Sequence, residues 1–384
     1  MTHINIKEIL WKLHIDSLTA MQQTTVEEYR KGKDLVLLSP TGSGKTIAYL
    51  LPLVLSLKNE NVLQAVVLVP SRELALQIEQ VFKSMGTGIP VMSCYGGRPA
   101  MDEHRTMKSL NPQVIVGTPG RMNDHLNKGN IDASHVHTLV IDEFDKCLEM
   151  GFQEEMSEVI VQIPYLKRRF LLSATDAPAI PRFVSEGDFL KLNFLEDEEQ
   201  IPERIKVYTV KSPEKDKLEV LSKLLCYLGD KSSLVFVNYR ESVERVYRYL
   251  LQAGISCEMF HGGMEQKDRE RALYKFSNGS CNVFVSTDLA ARGLDIPNID
   301  HVIHYHLPLN EDAYIHRNGR TARWDASGNV FLILGPEEYL PEFIQQIPED
   351  YVWEGPKPDP AKPQWVTLYI GKGKKDKINK VDIV

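Results

Sequence analysis

The chain has 384 residues, 43% hydrophobic and 25% charged, with a formal net charge of −7; that length exceeds one ordinary core and predicts two or three globular domains. No apolar run reaches the roughly 20 residues of a membrane span, the N-terminus carries no basic-then-apolar leader, and so neither membrane partners nor secretion are expected. Five scattered cysteines without a C-x-x-C pair argue against a disulfide framework or a zinc site and point to a reducing, cytoplasmic setting.

The acidic balance weighs mildly against nucleic acid, although a basic groove can sit on an acidic protein.

In chain order, short Val/Leu/Ile-rich runs predict strands at Asp34–Ser39, Ala65–Pro70, Gln113–Thr118, Thr138–Asp142 and Phe170–Ser173. They lack period-2 alternation, as strands buried on both faces do. Helical segments such as Ser71–Met85 lie between them, which predicts a parallel sheet with right-handed crossovers. The pattern restarts with strands at Ser233–Val237, Asn282–Ser286, His301–Tyr305 and Asn329–Leu334, and helices at Glu241–Ala253 and Gln266–Phe276. The expectation is an α/β chain of two tandem domains, residues 1–197 and 205–347, joined by an acidic linker at 198–204. Residues 348–384 read as a proline-rich spacer, a strand from Trp365 to Gly371 and a basic tail, too short for a core of their own, so that they either pack on the second domain or begin a third one.

Ser39-Pro-Thr-Gly-Ser-Gly-Lys-Thr46 follows a strand and opens a helix. Backbone N–H groups of Thr41, Gly42, Ser43 and Gly44 can wrap phosphates, Lys45 reaches the outer ones, and the Thr46 hydroxyl suits Mg²⁺. Asp142-Glu-Phe-Asp145 ends a strand, where a carboxylate lies beside such a loop. Asp142 can hold Mg²⁺ through water, and Glu143 can take a proton from an attacking water. Phosphate groups and Mg²⁺ are therefore the expected ligands.

With these motifs in place, residues 5–345 resemble the DEAD-box RNA helicases, with Asp-Glu-Phe-Asp where that family has Asp-Glu-Ala-Asp. Further motifs occur in the family's order: Pro70-Ser-Arg-Glu-Leu-Ala-Leu-Gln77, Gly96-Gly97, Thr118-Pro-Gly-Arg121, Ser173-Ala-Thr175, Val235-Phe-Val-Asn238, His261-Gly-Gly-Met-Glu-Gln266, Thr287-Asp-Leu-Ala-Ala-Arg-Gly-Leu-Asp295 and His316-Arg-Asn-Gly-Arg-Thr-Ala-Arg323. The resemblance implies two RecA-like domains of the P-loop NTPase, superfamily 2 helicase type, and that the expected phosphate groups are those of ATP. It implies that Gln22 reads adenine, a match of amide donor and acceptor. Arg320 and Arg323 are implied at the γ-phosphate, and Gly293 and Asp295 near the ribose. Asp145, Ser173, Thr175 and His316 are implied to couple the domains. Its RNA-binding residues would be Pro70, Arg72, Gly97, Arg98, Thr118, Gly120 and Arg121, then Gly262, Gly263, Arg269, Thr287 and Asp288. These suit phosphates and sugars, so binding is expected to be largely sequence-independent.

The implied activity is ATP-dependent local unwinding or remodelling of RNA by a monomer; the alternative is an ATP-dependent RNA clamp or scaffold that unwinds little. The sequence departs from the family pattern at Phe144, at Ala322 and around Gln22, where the aromatic partner for adenine falls to Trp11. Phe144 is expected to alter packing near Ser173 without loss of chemistry. Tyr95, Met101 and Phe152 are assigned to the core. The tail from Val366 either is a basic solvated segment or resembles the start of the RRM-like domain of DbpA-type bacterial helicases. The second reading implies ribosomal RNA as a target, a link to ribosome assembly, and a domain cut short.

Overall fold

A computed structural model describes residues 5–40, 42–97, 99–175, 181, 183–184, 188–195, 205–288, 299–321, 327–344 and 347–368. These fall into two compact units. The first takes the described residues of Met1–Lys206 and of Leu309–Gly328; the second takes those of Val207–Ala290, Ile299–Pro308 and Asn329–Val384.

In the first unit, α1 (Ile6–Lys12) and α2 (Ala20–Lys31) precede β1 (Asp34–Leu38) and α3 (Lys45–Ser56). Next come β2 (Ala65–Leu68), α4 (Arg72–Ser84), β3 (Val91–Cys94), α5 (Ala100–Leu110), β4 (Val114–Gly117) and α6 (Pro119–Asn127). The unit continues through β5 (Thr138–Ile141), α7 (Phe144–Glu149), α8 (Gln153–Val161), β6 (Arg168–Ser173) and β7 (Phe189–Asn193). The strands form a seven-stranded sheet ordered β3-β4-β2-β5-β6-β1-β7, with parallel pairing throughout.

Alternate residues of β1 explain why both faces are covered. Leu35 and Leu37 point into a cluster with Ala48, Leu51, Ile78 and Phe82 of α3 and α4. Val36 and Leu38 point into another with Met107, Met122, Cys147 and Met156 of α5 to α8. Phe144 joins this second cluster. The edge strand β3 and the strand β7 are absent from the sequence-based expectation. β7 is only half-buried, so it lacks the continuous apolar run that marks the inner strands.

The second unit holds β8 (Ile205–Lys211, its first two residues grouped with the first unit), α9 (Leu218–Leu228), β9 (Ser233–Phe236), α10 (Arg240–Gln252), β10 (Cys257–Phe260), α11 (Gln266–Ser277), β11 (Val283–Ser286) and β12 (His301–His304). After α12 (Glu311–Asn318), which groups with the first unit, come β13 (Gly328–Leu334) and β14 (Glu349–Asp350). The sheet order is β10-β11-β9-β12-β13-β8-β14, again parallel in the central pairs. One face is packed by Leu221, Leu225, Val243 and Leu250 of α9 and α10.

Ahead of the proline run, residues 349–355 pack on the second unit. β14 pairs with β8, Tyr351 N donates to Thr209 O at 2.8 Å, and the Trp353 ring lies 5.2 Å from that of Tyr227. Lys223 Nζ sits 4.2 Å over the Trp353 ring, and the Tyr227 hydroxyl donates to Gly355 O at 2.8 Å. Further on, Asn278 donates to Thr367 Oγ1 at 2.9 Å. The expected strand from Trp365 does not form over 365–368, where side chains and not a strand partner hold the segment; 369–384 and the linker at 198–204 lie outside the described residues. Met101 is a second correction. It is 59% exposed, on the outer face of α5, whereas Tyr95 is fully buried. Among the described residues, no helix is long and apolar enough to cross a membrane.

Candidate active site

Parallel pairing puts the carboxyl ends of all inner strands along one edge of the sheet. Leu38 is in register with Ser173, Leu68 with Ile141 and Gly117, and Gly117 with Cys94. The segments that succeed these strands are the predicted motifs, and such an edge is where open α/β sheets bind ligands.

After β1, Gly42 and Gly44 both take φ of +89°, a left-handed backbone that glycine adopts without strain. Gly44 caps α3 with no side-chain hydrogen bond, so no capping side chain covers the helix start, and a helix N-terminus favours an anion. Lys45 Nζ donates to the carbonyls of Ser39 and Pro40 at 2.5 and 2.7 Å, which holds the ammonium over the loop. Ser43 Oγ donates to Pro40 O at 2.8 Å and closes the turn. Thr46 is half-buried in the first turn of α3.

Gln22 is buried, with one hydrogen bond at each end of its side-chain amide. With Thr19 it forms a capping box at the start of α2: Thr19 N donates to Gln22 Oε1 at 3.0 Å. Its Nε2 donates to Gly44 O at 3.2 Å. The structure thus ties Gln22 to the phosphate loop. Trp11, the expected aromatic partner for adenine, is 75% exposed on α1.

Asp142 follows β5, anchored by its N–H to Leu68 O at 2.9 Å. Its carboxylate accepts from Glu143 N at 2.9 Å. Burial raises its pKa, and Lys45 pulls it back. Glu143 has φ and ψ of 49°, a left-handed conformation that costs a non-glycine residue about 1–2 kcal/mol. Its Oε2 is enclosed, with no hydrogen-bond partner among the described residues. Burial raises its pKa to about 7, opposed by the Arg320 guanidinium and reinforced by Asp142 and Asp145. Arg320 is itself 3% exposed and lies in the 309–328 segment grouped with this unit; His316 is also buried. Such strain and such a pKa are marks of a functional carboxylate.

Asp145 accepts from Thr175 Oγ1 at 3.0 Å, and Thr175 N donates to Ser173 Oγ at 3.1 Å. The two motifs, some thirty residues apart in the sequence, are therefore one hydrogen-bonded unit. Sequence reading misses Tyr49, which is wholly buried and kept neutral by that burial and by the Asp142 carboxylate. Its spacing, four residues after Lys45 on α3, is the available signal.

On the same edge, Ser71 caps α4 by accepting from Leu74 N at 3.2 Å, and Pro70 and Arg72 flank it. Gly97 takes φ of +92°, and a Cβ there would lie 2.5 Å from Arg72 NH1, so the arginine lies against the glycine turn. Thr118 N donates to Cys94 O at 3.1 Å. A Cβ at Gly120 would meet nothing within 4 Å, so this backbone is open at the start of α6. Arg121 is held 3.4 Å from Glu103. The second unit repeats the plan. Gly262 and Gly263 follow β10, where Gly263 N donates to His261 Nδ1 at 3.2 Å. Arg269 packs 4.7 Å over the Phe260 ring. Thr287 and Asp288 follow β11, where Ser286 Oγ donates to the Phe260 and Thr287 carbonyls at 3.1 and 3.0 Å. Thr41, Arg98, Gly293, Asp295 and Arg323 lie outside the described residues.

Residues 19–181 match the DEAD/DEAH box helicase family, and 216–325 the helicase conserved C-terminal domain. The chain is 36% identical over 335 residues to the ATP-dependent RNA helicase CshA of Listeria monocytogenes, covering 85% of this chain and 64% of that protein, just under two thirds of its length. It is 33% identical over 341 residues to the DEAD-box ATP-dependent RNA helicase CshA of Geobacillus kaustophilus, covering 87% of this chain and 72% of that one. Its fold is similar to that of Saccharomyces cerevisiae Dbp5 bound to RNA and ADP BeF3, with a TM-score of 0.76, 27% identity, and coverage of 85% of this chain and 87% of that one. With two parallel seven-stranded sheets carrying these motifs at their carboxyl edges, the chain belongs to the DEAD-box ATP-dependent RNA helicases.

Proposed function

We propose that this chain hydrolyses ATP in response to RNA and uses the cycle to unwind or remodel short RNA duplexes. The observation that carries the proposal is Glu143: an enclosed carboxylate oxygen without a partner among the described residues, a pKa near 7, and a strained backbone beside the phosphate loop. A base poised near the working pH takes a proton most effectively from an attacking water. The N-terminus of α3 and the Lys45 ammonium fit the polyphosphate of ATP, and Arg320 suits the charge that spreads over the transferred phosphoryl group. Thr46 and Asp142 are a hard-oxygen donor pair that fits Mg²⁺, which when bound would neutralise phosphate charge. Gln22 is proposed to add adenine contacts to its hold on Gly44.

RNA is proposed to lie along the carboxyl edges, on Pro70, Arg72, Gly97, Thr118, Gly120 and Arg121 in the first unit and on Gly262, Gly263, Arg269, Thr287 and Asp288 in the second. Backbone N–H groups, helix starts and guanidiniums select phosphates and sugars, and the 2′-hydroxyl is the group that separates RNA from DNA. The names of the CshA proteins and the RNA-bound state of Dbp5 support this reading. A cytoplasmic monomer is proposed with it; a role in ribosome assembly rests on the tail's likeness alone.

The test is steady-state ATP hydrolysis with no nucleic acid, with RNA, and with an equal mass of single-stranded DNA. Stimulation by RNA alone is the expected result, followed by strand displacement in a duplex assay. Full-rate hydrolysis without RNA, or equal stimulation by DNA, overturns it.

A further inference from the structure

Beneath the proposed RNA-binding edge lies a carboxylate that neither the phosphate chemistry nor the RNA contacts use. Glu103, on α5, is 5% exposed. Its Oε1 accepts from Tyr95 N at 3.1 Å, the residue just before the Gly96-Gly97 turn. Its Oε2 accepts from His125 Nε2 at 2.8 Å and lies 3.4 Å from Arg121 Nε, both on α6. His125 is fully buried, and Asn130 Nδ2 donates to its Nδ1 at 3.1 Å. That bond leaves Nε2 as the donating nitrogen, aimed at the carboxylate. One buried charge thus joins three segments: the end of β3, α5, and the helix that begins with Thr118-Pro-Gly-Arg.

A buried carboxylate that accepts two hydrogen bonds and faces a guanidinium is costly to disturb. Burying a charge of this kind is weak evidence for stability and better evidence for fixed geometry. The geometry at stake is specific. The glycine turn presents Gly97, against which Arg72 lies, and α6 presents Gly120 and Arg121. The 3.6 Å contact of Arg121 to Asp124 stays within α6, so it orients the guanidinium on its own helix. Glu103 is different: it belongs to α5, and its contacts to Arg121 and His125 fix α6 against a neighbouring element. The bond to Tyr95 N also ties the carboxyl end of β3 to α5.

We infer that Glu103 is a positioning residue for RNA: it locks Arg121 and the Tyr95–Gly97 turn in a single register, so that the two RNA-facing segments meet one phosphate strand together. This rests on the RNA-binding reading above. It assigns Glu103 no contact with RNA or nucleotide.

The experiment measures, on the full chain, the RNA concentration that half-saturates ATPase stimulation, together with RNA-independent hydrolysis, for the parent, Glu103→Gln, Arg121→Ala and the double variant. Glu103→Gln keeps the shape but loses the charge, and its half-saturating RNA concentration is expected to rise roughly tenfold, the scale of one charge-assisted hydrogen bond. RNA-independent hydrolysis should stay at the parent value. Because part of the effect of Glu103 runs through Arg121, the double variant should lose less than the sum of the two single losses, a non-additivity that a general loss of stability does not produce. The slope of log affinity against log salt should fall by about one phosphate contact in Glu103→Gln. Should Glu103→Gln fail to fold, Arg121→Lys is the second variant. It keeps the charge, loses the Nε contact, and should weaken RNA in the same direction. Normal RNA dependence in the folded Glu103→Gln or Arg121→Lys protein, or additive effects in the double variant, overturns the inference alone. If the parent itself shows no response to RNA, the RNA-binding reading fails and takes the inference with it.

Discussion

Glu143 pairs a left-handed backbone with a carboxylate whose burial raises its pKa to about 7. Both features cost stability, and both are what the proposed base requires. Glu143→Gln removes the base while keeping its shape, and turnover should fall by about 10²–10⁴ with ATP binding kept. In the parent, turnover should rise with pH through about 7 as the carboxylate ionises. The same carboxylate links stability to pH. Its folded pKa lies above the ordinary value of 4.5, so the folded state holds a proton that the unfolded state has released, and stability falls as pH rises from about 4.5 to 7. Glu143→Gln should therefore melt higher than the parent at pH 8, by roughly 1.4 kcal/mol for each pH unit of that rise, with the gap closing below pH 4.5. Melting curves at pH 8 and pH 4 decide this; a gap equal at both pH values would show that the carboxylate is not held protonated by the fold. At Gly97 sterics decide. Its φ of +92° and the 2.5 Å approach of Arg72 to an added Cβ predict that Gly97→Ala costs about 1–2 kcal/mol from backbone strain and shifts Arg72. A thermal melt reads the first effect and RNA titration the second, and unchanged RNA affinity would place Arg72 outside the interface.

At the scale of elements, strand ends and helix starts build the site. Each inner strand of the first unit stops at the same edge because the register aligns Leu38 with Ser173 and Leu68 with Ile141. A cap or a turn succeeds each strand: Gly44 before α3, Ser71 before α4, Thr118 before α6, Glu143 before α7. The second unit closes with the strap from Glu349 to Leu368, whose first residues, 349–355, are held largely by rings and hardly by a strand ladder. Trp353 packs against Tyr227, Tyr351 and Lys223. Trp353→Ala should cost about 2–3 kcal/mol, less than a fully buried tryptophan because this one is only half-buried. Hydrogen exchange should then rise in 349–368 and along β8, which β14 pairs. Exchange confined to the mutated residue would mean that the strap adds nothing to the unit.

At the scale of the molecule, the two units repeat one design, a parallel sheet with functional segments at its carboxyl edge. The segment 309–328 departs from a simple division of the chain, because it groups with the first unit and brings Arg320 into the electrostatic surroundings of Glu143. Arg320→Ala should lower turnover by roughly 10³-fold or more, as loss of an arginine at a transferred phosphoryl group does. It should also raise the Glu143 pKa further, since an opposing positive charge is removed, so the pH profile of the residual activity should move to higher pH. A profile that does not move would separate Arg320 from the base.

Much of this is legible in the sequence, since phosphate loops, buried strands and the Asp-Glu-Phe-Asp segment depend on residue types at short spacing. Backbone conformation and strand burial are local properties, so the inner strands and the Lys45–Thr46 helix start fall within a few residues of their expected places. The edge strand Val91–Cys94 and the half-buried Phe189–Asn193 escape because short or half-covered strands lack a long apolar run. Which contacts dock residues 349–355 on the second unit is not written in composition, since the rings of Tyr351 and Trp353 find partners far away in the chain. Contacts between residues far apart in the sequence were decided only by the tertiary structure: Asp145 to Thr175, Glu103 to His125, Gln22 to Gly44. The pKa of Glu143 belongs to the same class. The sequence by itself determined that a carboxylate is present; desolvation and neighbouring charge, which exist only once the chain is packed, determine its proton affinity.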